Sequence, residues 1–72
     1  MTQRTRHDRQ AIATGDFWEA IGDRLGLHLV GWTMLESALF RQGSRTQRVE
    51  GSELAHALGR ALDVPVPDLD QV

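Results

Sequence analysis

No cysteine occurs in this chain of 72 residues, and shortness combined with that absence limits the fold more than any motif does. A domain this small buries only about 60% of the surface its unfolded chain exposes, so its core is thin. Small folds often make up the deficit with disulfides, a structural metal or a partner chain. Disulfides and cysteine-ligated zinc are excluded here. A partner chain is the most available remaining source of stability, which makes a homodimer an expectation to test. The polar start, MTQRTRHDRQ, has no apolar signal core. No apolar run approaches the roughly 18 residues of a membrane span. The expectation is a cytoplasmic protein with no membrane partner.

Glycine and proline punctuate the chain into elements. Asp16 followed by Glu19 has the form of a capping box. Trp18, Ile21 and Leu25 then fall on one helical face with Phe17 beside it, and Gly26 suits a left-handed cap, which predicts a helix over 16–25. Residues 1–13 carry no strong period and are expected to be a flexible basic arm, unless Gln10 to Ala13 extend the helix. Leu27 to Thr33 reads as a strand.

Two readings stay open for Met34 to Gln42. One is a turn near Leu35–Glu36, a strand from Ser37 to Gln42, a second turn at Gly43-Ser44-Arg45 and a third strand from Thr46 to Glu50. The other is a helix capped by Thr33 and Glu36. Ser52 as an N-cap opens a last helix that Pro65 ends near Asp63. The expected fold is α+β, order α-β-β-β-α. It has a small antiparallel three-stranded sheet with two helices on one face, in a single domain over 14–64. An all-α arrangement of three or four short helices is the alternative. Residues 65–72 are expected to be an extended acidic tail.

Few constellations carry chemistry. With no cysteine, lysine or tyrosine, and with Ser37, Ser44 and Ser52 outside any nucleophile-elbow context, no nucleophilic set emerges. Glu53 and His56 have the spacing of one Glu-x-x-His pair, but di-metal bundles need two such pairs and further carboxylates. His7 and His28 lie on other elements. Asp16, Glu19 and Asp23 share one side of the first helix, and Asp68 and Asp70 sit on the tail. All five read as solvated acids. No catalytic residue, metal ligand or cofactor is expected, and the chain is not expected to be an enzyme.

The net charge is −2 with a pI near 5.8, which argues against a dedicated nucleic-acid binder. The charge is uneven, however. Arg4, Arg6 and Arg9 make the start basic, and Arg45 and Arg48 flank the second hairpin. These five are the phosphate-contacting candidates if the chain binds DNA.

The first strand has more content. Strict alternation turns Leu27 and Leu29 one way and Val30, Trp32 and Met34 the other. Helices on one side of the sheet cover only one set. Val30, Trp32 and Met34, rimmed by Arg41, Arg45 and Arg48, are therefore the expected protein-binding surface.

Two resemblances bear on function. Ala57-Leu58-Gly59 followed by Val64 to Leu69 resembles the closing half of repressor-type helix-turn-helix domains, which implies a DNA-binding regulator and requires the helical reading. Leu27, Leu29, Gly31-Trp32-Thr33, Ser37-Ala38, Phe40, Val49 and Gly51 resemble small accessory proteins of phages and prophages. That likeness covers about half the chain and implies no activity. It implies a compact protein that binds a host or phage target, inhibitors of bacterial defence among them. A non-enzymatic protein-interaction module is therefore the leading expectation, and a small helix-turn-helix regulator is the alternative.

Overall fold

A computed structural model describes the backbone of residues 6–67 and the side chains of residues 12–67. The order is α1 (Arg6–Leu25), β1 (His28–Thr33), β2 (Ser37–Gln42), β3 (Arg45–Glu50) and α2 (Ser52–Leu62). The strands form one antiparallel sheet in the order β1-β2-β3. The fold is thus α+β, α-β-β-β-α, and the all-α alternative is overturned, because residues 37–42 pair on both sides as the central strand.

Several local expectations need correction. Helix α1 begins at Arg6, ten residues before Asp16. Asp16 and Glu19 are therefore exposed mid-helix residues and not a capping box. The segment read as a flexible arm is helical from Arg6 onward. Helix α2 is entered through Gly51 at φ 102°, with no side-chain cap, so Ser52 is its first residue and not its cap. Strand β3 starts one residue early, at Arg45.

The chain reversals follow their glycines. Gly26 (φ 71°) ends α1. The Leu27 N–H donates to the Gly22 carbonyl at 2.8 Å and the Gly26 N–H to Asp23 at 3.4 Å, the paired bonds of a Schellman motif. Gly43 (φ 62°) and Ser44 make a two-residue hairpin loop between the paired Gln42 and Arg45. Only the glycine has positive φ, the arrangement that suits the twist of adjoining strands. Helix α2 stops as expected near Asp63, which adopts the left-handed conformation at φ 57°. The chain after it is no free tail at its start, because Val64 is buried and Val66 packs against the core.

The core comprises Phe17, Trp18, Ile21, Leu35, Ala38, Phe40, Ala55 and Val64. Trp18 is 0% exposed. Its indole Nε1–H donates to the Met34 carbonyl at 2.7 Å, so the polar end of a buried ring is satisfied. Its ring meets Phe17 and Phe40 edge-on, with centroids 5.0 and 6.0 Å away. Each such fully buried side chain stabilises the fold by roughly 1.5–3 kcal/mol.

Glycines let the layers close. A methyl group at Gly22 would stand 3.0 Å from Cε1 of Phe40, and one at Gly59 would stand 3.2 Å from Cε1 of Phe17. Helix α1 thereby seats a ring of the central strand, and α2 seats a ring of α1.

Candidate functional site: a groove between the first helix and the edge strand

One irregularity in β1 decides which residues of this sequence face the site. Leu29 pairs with Phe40 and Gly31 with Leu39, which leaves Val30 as an extra residue in a β-bulge. Paired residues in an antiparallel ladder point to the same face. Leu29 therefore shares the inner, helix-covered face with Phe40, and Trp32 shares it with its own partner Ala38. Strict alternation had put Leu29 and Trp32 on opposite faces. The extra residue shifts the parity, and both side chains now point toward α1. Val30 and Trp32 are thereby separated, and Met34 lies beyond the strand in the following turn, so the three do not form one strand face.

The first helix covers the two side chains unequally. Trp32 lies against Gly15, where a methyl group would stand only 2.7 Å from Cζ2 of the indole. Trp32 is nevertheless 43% exposed, on a strand that is one of the two edges of the sheet. Between α1 and that edge runs a groove made of two adjoining hollows of about 300 Å³ each. Ile12, Gly15, Asp16, Glu19, Leu29 and Trp32 line one. Glu19, Asp23, Leu27, His28, Leu29 and Trp32 line the other.

The groove has two textures. Its apolar floor is built from Ile12, Leu27, Leu29 and Trp32. Its helix-side rim is acidic. Ile12, Asp16, Glu19 and Asp23 recur at i, i+4, i+7 and i+11, which is one lengthwise stripe of a helix. Asp16, Glu19 and Asp23 are exposed. Among the described residues the one ion pair is Arg48–Glu50 at 3.5 Å, on the third strand and not at this rim. The three carboxylates thus face the groove with no cation of the described residues paired to them.

Of the six residues expected to form a binding surface, Trp32 and Arg48 line one hollow with Gly31 and Leu39, and the others are dispersed. Trp32 is in the groove. Val30 stands at the bulge, 53% exposed. Met34 is in the β1–β2 turn with φ 46°, and its carbonyl serves Trp18. Arg48 pairs with Leu39 and Arg41 with Thr46, so both arginines lie on the outer sheet face, opposite the helices. Arg45 closes the hairpin beside Gly43-Ser44.

Of the nucleic-acid candidates, Arg4 lies outside the described residues, as do the side chains of Arg6 and Arg9 and of His7. Asp68 and Asp70 also lie outside them. Of the Glu53–His56 pair, His56 has a local partner. Nδ1–H of His56 donates to the Ser52 carbonyl at 2.7 Å, a local helix contact. No group of three or more metal-ligating side chains gathers among the described residues. No helix among them is long and apolar enough to cross a membrane.

Sequence reasoning missed Asp16, Glu19 and Asp23 as site residues and misplaced Trp32. Gly31 was the available signal, since a glycine inside a strand often marks a bulge. Compared with family models, curated proteins and solved structures, the chain finds no match in any of the three. The groove itself is therefore the basis for a functional reading.

Proposed function

We propose that this chain is a non-enzymatic protein-binding module, in the manner of the small phage-type accessory and inhibitor proteins it resembles, and that its binding face is the groove between α1 and β1. The observation that carries this reading is Trp32. Half-exposed tryptophans set in apolar hollows with polar rims have the make-up of binding hot spots. A ring of this size is held on one side by Gly15 and open on the other. Its open side leaves apolar surface in water, and a partner that covers it releases that unfavourable free energy.

The helix-turn-helix alternative needed residues 34–42 to be helical, and they form the turn and the central strand. The acidic rim also opposes phosphate.

Photocrosslinking tests the reading. A benzophenone amino acid is placed at Ile12, in the groove, and separately at Arg60, exposed on α2, in cells that express the chain naturally. The expected result is a discrete protein adduct from position 12 alone, lost when Trp32→Ala is added. Equal adducts from both positions, adducts only to nucleic acid, or no adduct from position 12 would overturn it.

A further inference from the structure

We propose that the groove takes a basic segment of a partner protein, in which arginine or lysine side chains flank a bulky apolar residue. This rests on the groove being a protein-binding face and adds the chemistry of what fills it. The argument is complementarity along the groove. The apolar floor of Ile12, Leu27, Leu29 and Trp32 gains from being covered by apolar side chains.

The rim above it carries Asp16, Glu19 and Asp23, exposed and without an ion pair among the described residues. These carboxylates repel one another and an acidic partner, and they attract a cationic one. The half-exposed Trp32 points the same way, because an indole ring attracts a guanidinium or ammonium placed over it. His28 is the one basic-type side chain in the lining.

Length fixes the size of the occupant. Asp16 and Asp23 are seven residues apart on α1, about 10 Å at 1.5 Å per residue. That matches cations about three residues apart in an extended segment. From Ile12 to Asp23 the stripe runs about 16 Å, enough for about five extended residues. A short linear segment of that length matches the stripe.

Fluorescent hexapeptides titrated against the full chain test the proposal. One peptide has arginines flanking leucines, a second has glutamates in place of the arginines, and a third has arginines flanking serines. The arginine–leucine peptide is expected to bind best and to weaken as salt screens the rim. Asp16→Asn, Glu19→Gln and Asp23→Asn together are expected to reduce its affinity at least about tenfold, the scale of removing several opposite charges from an interface at once. All three positions are exposed, and circular dichroism is expected to stay unchanged. Trp32→Ala is expected to remove binding of the same peptide.

If the glutamate–leucine peptide binds as well or better through Trp32, the basic chemistry is wrong while the groove stands as a binding face. If the arginine–serine peptide matches the arginine–leucine peptide, the floor plays no part and the proposal fails. Binding indifferent to both the triple variant and Trp32→Ala, or no binding at all, also overturns it. Sedimentation in parallel reads whether a second copy fills the groove, and a monomer, or a dimer that the triple variant leaves intact, is the result that keeps the groove for a partner protein. A dimer dissolved by the triple variant would assign the groove to a second copy instead.

Discussion

The chain has two tryptophans, both between the sheet and its helices, and the molecule treats them in opposite ways. Trp18 projects from α1 toward the central strand. It is 0% exposed, packed edge-on with two phenylalanines and hydrogen-bonded through its indole N–H. Trp32 projects from the edge strand toward α1. It is 43% exposed, and Gly15 of α1 closes against one side of its ring. The central strand contributes the buried Ala38 and Phe40, whereas both edge strands stay largely exposed. On β1 the half-exposed part includes Trp32. A small domain thus divides the same residue type between holding the fold and presenting a surface.

The largest expected effect lies on the Trp18 side. Trp18→Ala empties the centre of the core, at a cost of about 3–5 kcal/mol for a large buried aromatic. That equals the roughly 3–5 kcal/mol a core of this size supplies in total. The variant is expected to be unfolded at room temperature by circular dichroism. A folded Trp18→Ala protein would break the division of roles. Indole exchange reads the same contrast without mutation. The Trp18 N–H, buried and bonded to the Met34 carbonyl, is expected to exchange with deuterium far more slowly than the Trp32 N–H.

The division also explains what was legible in the sequence. The elements around Trp18 were readable because their signals are local: helical spacing of Phe17, Trp18 and Ile21, glycines at Gly26 and Gly43, and Pro65 after the last helix. The meander was readable from those turns, although a helix over Met34 to Gln42 competed with it. Trp32 was legible as a surface residue, and Arg48 does share a hollow with it, but its helix-side neighbours were not. Its face depends on one unpaired residue at Val30, and strand parity does not reveal a bulge. The acids of α1 look like an ordinary solvated face in the sequence because their relation to β1 exists only once α1 has packed against that strand.

Trp32→Ala comes next in size. The ring is only partly covered, so its loss is expected to cost about 1–2 kcal/mol, below full burial of an aromatic. The chain is expected to stay folded by circular dichroism and to lose the groove's affinity for the arginine–leucine peptide. Unfolding as complete as that of Trp18→Ala would make Trp32 a core residue and erase the comparison.

Gly15→Ala sharpens it further. Alanine favours a helix over glycine by about 1 kcal/mol, whereas its methyl group would meet the Trp32 ring at 2.7 Å. The ring stands at an edge and can swing outward, so the two effects are expected to leave the melting temperature nearly unchanged. Peptide affinity, however, is expected to fall, because the floor of the groove has moved. A variant that melts higher and binds the peptide as before would show that Gly15 does not position Trp32.

The smallest effect is expected from deleting Val30, and it tests the origin of the site. Val30 is the residue without a partner on β2, while His28, Leu29, Gly31 and Trp32 each have one. Without it, Leu29 still faces Phe40, Gly31 still faces Leu39 and Trp32 still faces Ala38, in a now regular ladder. Trp32 then keeps the inner face by simple alternation from Leu29. Folding and peptide binding are therefore expected to survive with little change in melting temperature. What is lost is the local kink, and an unkinked edge strand is a better template for another strand. Concentration-dependent association is accordingly expected to rise, measurable by sedimentation. Loss of peptide binding in a folded, monomeric deletion variant would mean that the bulge shapes the groove directly, beyond setting which way Trp32 points.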